Sequence, residues 1–218
     1  AASAFQDNKL IAVRINRLDS DWGVDDLNAA MQISPHAIVL PKVEAPQDIN
    51  ALAEALDAFD VETPHIWAMI ETPLAILNVR EIASAHPRLK VFVMGTSDLA
   101  KDLRVPHTPD RLGFLTSLGL SVLAARAYGL DIIDGVHLDL SGGPEFRAVC
   151  EQGRKLGFDG KTLIHPNQID PANEIYGLSA EAIEQARRVI AIWEEAERAG
   201  SGVAVLDGKL VENLHAAE

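Results

Sequence analysis

A single cysteine, Cys150, stands in the 218 residues, so no disulfide framework holds this chain together and a reducing, cytoplasmic setting is expected. Positive charge is scarce as well. Against 32 Asp and Glu there are 19 Lys and Arg, a formal net charge of -13, which argues against the basic patches that non-specific nucleic-acid binding needs. A site for an anionic ligand must then gather its few cations locally or use a metal. No run approaches the ~18 consecutive apolar residues of a membrane helix, and no membrane partner is expected. Residues 1–10 lack a basic stretch followed by an apolar one, so no signal peptide is expected. Nucleotide and hydrolase motifs are missing too. No GxGxxG follows the first apolar run, which removes the best marker of a dinucleotide fold. There is no GxSxG, and Cys150 sits on a helical pattern, so a serine or cysteine hydrolase is unsupported. Gly160-Lys161-Thr162 resembles the end of a P-loop, but the first glycine of that motif would fall at residue 155, which is Lys155. That segment reads instead as a tight turn before the last strand.

What is present is alternation. Short branched apolar runs at 10–16 (LIAVRIN), 37–42, 66–72, 90–96, 131–138 and 162–166 read as six buried strands. Helical patterns lie between them at 25–33, 46–59, 74–85, 110–128 and 144–156. A longer one spans 180–199, with Ser179 as N-cap and Gly200 as stop. Unbroken alternation predicts a parallel sheet. Polar residues collect at or just past the strand C-termini: Arg14 and Asn16, Lys42 and Glu44, Glu71, Asp98, Asp134 and His137, and His165. Chemistry built from many strand ends on one face favours a (β/α)8 TIM barrel over a doubly wound sheet. Six strands fall two short of a closed barrel, so either the two N-terminal strands are missing from this chain or the barrel is incomplete. The expected organisation is a barrel domain over residues 1–200, carrying strands 3–8, and a C-terminal extension over 201–218. Within that extension, 201–208 and 209–214 form a hairpin turning on Asp207-Gly208.

Glu71 and Asp98 each end an apolar strand and open a loop. Two carboxylates from successive strand ends suit Mg2+, which keeps several waters. Glu71 could equally make a structural salt bridge, and Asp98 could cap the turn over 99–103. Arg14 inside VRIN suits a carboxylate or thioester oxygen, or an internal ion pair. Lys42 and Glu44 could enter the site or pair with neighbours. His137 and Asp139 form an H-x-D triplet, but no second histidine lies at ligand spacing, which disfavours zinc.

Taken in order, VRIN (13–16), LPKVE (40–44), ETP (71–73), GTSDLA (95–100), DGVHLD (134–139) and GKTLIHPNQI (160–169) resemble the HpcH/HpaI aldolase and citrate lyase β-like family, and most of all its malyl-CoA lyase and malyl-CoA thioesterase members. The resemblance implies a TIM barrel with Mg2+ held by Glu71 and Asp98. It implies Arg14 on the substrate's oxygens, with Gly95 and Thr96 of the same loop as Asp98 also at the substrate. The ligands would be a CoA thioester across the barrel mouth and a small keto or hydroxy acid. It further implies a homotrimer or homohexamer whose C-terminal segment reaches a neighbour's site. Two family strand motifs, S-x-L-F-x-P and D-L-E-D, do not occur here. Several family lyases carry an Asp in the tail where this chain has Glu212, the candidate catalytic acid. The implied activity is Mg2+-dependent cleavage or formation of a C–C bond in a 3-hydroxyacyl-CoA such as malyl-, citramalyl- or citryl-CoA. Hydrolysis of malyl-CoA at the thioester is the rival reading, and a non-catalytic subunit is another.

Overall fold

The computed structural model describes residues 9–59 and 64–213. The segment on which the absence of a signal peptide was read lies mostly outside them, as does Leu214 at the end of the expected hairpin. The chain divides into two compact units, Ala1–Ile175 and Tyr176–Glu218.

The first unit is built on a parallel sheet of β1 (Ala12–Arg14), β2 (Ala37–Leu40), β3 (His65–Ile70), β4 (Leu89–Met94), β5 (Asp131–Asp134) and β6 (Gly160–Lys161). The strands pair in chain order without a reversal. With right-handed crossovers, that order keeps every helix on one side and curls the sheet towards a half-barrel. A doubly wound sheet would reverse direction at a switch point.

The period of two sorts side chains between the faces. Ile38, Leu40, Ile66, Ala68, Ile70, Phe92, Met94 and Ile132 are buried on one face. The other face carries a cross-strand row, Arg14–Val39–Trp67–Val91, fixed by the register. Its members Val39 and Trp67, with Met69 and Ile133, are only half-buried and line a cavity.

The helices follow local signals. α1 spans Gly23–Met31 and α2 spans Pro46–Asp57. Pro46 opens α2, where a missing N–H costs nothing, and Asp48 accepts from the N–H groups of Glu44 and Ala45. The pattern over 74–85 forms two short helices, α3 (Pro73–Leu77) and α4 (Val79–Ala83). They part at Asn78, whose side chain donates to the Glu44 carbonyl at 2.9 Å. α5 (Thr96–Leu103), α6 (Leu115–Ala127), α7 (Pro144–Leu156) and α8 (Ile169–Tyr176) follow. Residues 112–114 form a 3-10 turn, so the helix expected from 110 starts at Leu115.

The sixth strand requires a correction. It is Gly160–Lys161, so the strand lies in the segment expected to be a turn, and 162–166 is not a strand. Lys161 is drawn in by Asp134 of the neighbouring strand, at 3.1 Å, which fixes the pairing there. His165 then closes the next 3-10 turn by accepting from the Asn167 N–H.

In the second unit, α9 (Ala180–Arg198) starts where Ser179 accepts from the Ala182 N–H at 3.1 Å, and Gly200 follows it at φ 73. Beyond it β7 (Ala204–Leu206) and β8 (Lys209–Val211) pair antiparallel. Asp207 and Gly208 turn between them at φ 50 and 79, the left-handed pair a two-residue hairpin demands. Arg188 of α9 donates to both oxygens of Asp207.

Candidate active site

A cavity of about 340 Å³ lies on the half-buried face of the sheet and at the strand C-termini. Arg14, Glu71, Gly95, Thr96 and Asp98 all line it, above an apolar floor that includes Trp67 and Met69. The strands place them. Trp67 and Met69 fall on one face of β3, and Glu71, just past its end, continues that alternation to the same cavity.

Glu71 is 4% exposed. Its Oε1 accepts from the backbone N–H of Lys42 at 2.7 Å. On its other side it is packed on Gly95, where an added Cβ would lie 2.4 Å from Oε2. Burial is the main cause that pushes its pKa up, and the charge of Asp98 adds to it. The Lys42 N–H and the charges of Lys42 and Arg14 pull the other way. Asp98 stands in the first turn of α5, but the N-cap position belongs to Gly95. Capping therefore does not account for Asp98. Neither carboxylate enters an ion pair among the described residues, and neither does Arg14.

A cation between the two carboxylates would offset the cost of burying Glu71 beside the charge of Asp98. Two carboxylates with room for water and ligand oxygens fit Mg2+. Among the described residues no group of three or more His, Cys, Asp or Glu could hold a metal, so a zinc-type cage is not formed.

A sequence model of the family described as HpcH/HpaI aldolase/citrate lyase matches residues 2–166. The chain belongs to that family. It is 52% identical over 203 residues to a (3S)-malyl-CoA thioesterase of Cereibacter sphaeroides, covering 93% of this chain and 69% of the relative. It is 34% identical over 206 residues to the citrate lyase subunit beta of Escherichia coli K12, covering 92% and 68%. Among solved structures, the protein CitE from Mycobacterium tuberculosis, in complex with magnesium, acetoacetate and coenzyme A, superposes with a TM-score of 0.73 at 28% identity, covering 99% of this chain and 80% of that one.

In this citrate lyase-like chain the other candidates divide. Lys42 does not line the cavity but donates its backbone N–H to Glu71, and Glu44 donates its N–H to Asp48. Asp134 is fully buried between two cations. Both its oxygens accept from Arg111 Nη1, at 2.8 and 2.7 Å, and Oδ2 accepts from Lys161 at 3.1 Å. It is a structural hub. Its carbonyl receives Thr162, whose side chain also lines the cavity. His137 and Asp139 line a separate cavity, of about 220 Å³. Burial lowers the pKa of His137 and outweighs the nearby Glu145. Cys150 is buried in α7, and burial pushes its thiol up to about 11, which makes it a poor nucleophile. Glu212 directly follows β8 in the unit Tyr176–Glu218, while the other candidates belong to Ala1–Ile175. The sequence offered no sign of the Lys42 N–H, of Arg111, or of Gly135, where an added Cβ would meet Thr96 Oγ1 at 2.5 Å. Each acts through a non-local approach. No helix of the described residues is long and apolar enough to cross a membrane.

Proposed function

We propose that the chain is a Mg2+-dependent enzyme acting on a 3-hydroxyacyl-CoA of the malyl-CoA kind, and that it hydrolyses the thioester. The convergence of Arg14, Glu71 and Asp98 on one cavity carries the proposal. Hydrolysis is preferred because identity to a malyl-CoA thioesterase is 52%, against 34% to a citrate lyase β subunit. Held by Glu71 and Asp98, Mg2+ would supply a Lewis acid for substrate oxygens. Arg14 would bind the negative charge that develops on the thioester oxygen, which its planar fork suits. Gly95 makes room for the Glu71 side chain, and both Gly95 and Thr96 line the cavity where the substrate would sit. The apolar floor at Trp67 and Met69 lowers the local dielectric and strengthens these charges. In a chain of net charge -13, this local set is what an anionic CoA ester would meet.

C–C cleavage is the second reading, favoured by the citrate lyase relative and by the acetoacetate and coenzyme A bound to the Mycobacterium tuberculosis protein. There Arg14 would face an enolate oxygen, and Glu212 would protonate the enolate carbon. Both readings use a site at the strand C-termini of a TIM-barrel-like sheet. The proposed assembly is a cytoplasmic homotrimer or homohexamer.

Incubation of malyl-CoA with the protein and Mg2+ tests this. Free malate and CoA are expected. Glyoxylate and acetyl-CoA as the main products would replace hydrolysis with the lyase reading, and no turnover would leave a non-catalytic subunit. Glu71→Ala or Asp98→Ala with full turnover and metal affinity would remove the metal assignment.

A further inference from the structure

Glu71 must present its carboxylate in a fixed direction, yet it lies just past the end of β3. The group that holds it is the Lys42 N–H. Lys42 itself sits at φ 50, in the left-handed region that a residue with a Cβ avoids unless its surroundings impose it. Two contacts impose it. On one side the Val43 N–H donates to the Met69 carbonyl of β3 at 3.3 Å. On the other, Arg17 Nη1 donates to the Lys42 carbonyl at 2.6 Å.

Arg17 is itself anchored. Nε donates to Asp19 at 2.9 Å, and Nη2 reaches Asp19 at 3.2 Å and Asp48 at 3.3 Å. Asp48 is fixed in turn by the N–H groups of Glu44 and Ala45, at 2.8 and 3.0 Å. Arg17 is not among the residues lining the cavity of Arg14 and Glu71. It lines a separate cleft of about 100 Å³ with Asp19, Pro41 and Asp48. A solvated ion pair with Asp19 alone would do little. The bond to the Lys42 carbonyl is what links Arg17 to the site.

We propose that Arg17 is a positioning residue for the metal site: it locks the Lys42 turn, so that the Lys42 N–H holds the Glu71 carboxylate against Gly95. The inference rests on the reading of Glu71 as a Mg2+ ligand.

The test is Mn2+ binding without substrate, followed by electron paramagnetic resonance, in the wild type and in Arg17→Met, Arg17→Lys, Arg88→Met and Glu71→Gln. Arg88 is the control. It also donates to a backbone carbonyl, that of Ala53 at 3.0 Å, and to an aspartate, Asp57 at 2.6 Å, and neither partner touches Glu71. Arg17→Met is expected to weaken Mn2+ about tenfold, the lower end of the loss seen when a group that orients a metal ligand is removed. Its activity should recover as metal is raised, which a merely unstable variant would not show. Arg17→Lys keeps one donor for the Lys42 carbonyl and should fall between Arg17→Met and wild type. Arg88→Met should bind as wild type. Unchanged Mn2+ affinity in folded Arg17→Met overturns the proposal, as does an equal loss in Arg88→Met. If Arg17→Met does not fold, unchanged affinity in Arg17→Lys overturns it. If the wild type binds no Mn2+, or Glu71→Gln binds as well as wild type, the metal reading fails and takes this inference with it. Impaired Glu71→Gln beside unimpaired Arg17→Met removes the role of Arg17 alone.

Discussion

At Gly95 the site depends on a side chain that is missing. A Cβ there would lie 2.3 Å from the Glu71 Cβ and 2.4 Å from its Oε2, distances at which something must move. Gly95→Ala is therefore expected to displace Glu71 and weaken Mn2+ binding at least about tenfold, read by titration, while leaving circular dichroism unchanged. Unaltered affinity would mean that the Glu71 carboxylate does not hold the ion. Arg14 offers a sharper distinction, because Lys keeps its charge and loses its planar fork. Arg14→Lys is expected to lose about 10²-fold in kcat on malyl-CoA, on the scale of removing one donor to a developing oxyanion; steady-state kinetics with full activity would exclude that contact. Arg14, Glu71 and Asp98 stood out in the sequence as charged residues within or just past apolar strands, and the structure brings all three to one cavity, with Glu71 buried, Asp98 half-buried and Arg14 exposed. Lys42 was legible only as a side chain. Its backbone N–H matters because of a left-handed turn held by Arg17 from 25 residues away, and no local pattern encodes that.

Elements were legible to the extent that their apolar pattern is local. β2, β3 and β4 lie within one residue of their expected starts, because branched apolar runs buried under helices are long enough to be seen. β6 has two residues, Gly160 and Lys161, neither of them strand-like, and it exists because Asp134 of β5 accepts the Lys161 ammonium. Arg111 joins the same carboxylate from a 3-10 turn 23 residues earlier, its backbone at φ 53. The side chains of Asp134, Lys161 and Arg111 are 0%, 1% and 8% exposed, so one buried anion serves two buried basic groups, and burial lowers the pKa of Lys161. Removing the anion leaves both uncompensated, and Asp134→Asn is expected to cost about 3–5 kcal/mol. Lys161→Met keeps the Arg111–Asp134 pair intact and should cost less. Urea unfolding of both variants checks the order. An equal or reversed cost would show that the cluster does not depend on Asp134 as its shared charge.

At the scale of the whole molecule, the unit Tyr176–Glu218 poses the question of what its hairpin does. A two-stranded hairpin is marginal by itself, and this one carries Val203, Val205 and Leu210 exposed, at 47%, 62% and 54%. Glu212 follows immediately. Under the C–C cleavage reading, the extension is expected to close the site of another subunit once substrate is bound and to deliver the Glu212 carboxylate there. Complementation tests it. Glu71→Ala chains and Glu212→Ala chains should each be inactive alone. If tails act in trans, mixed oligomers will contain sites that combine an intact Glu71 with an intact Glu212 from a neighbour, and part of the activity should return on mixing and reassembly. If each tail serves its own chain, no mixture contains a whole site, and activity should stay at background. Full activity in Glu212→Ala alone would remove the carboxylate from the mechanism altogether.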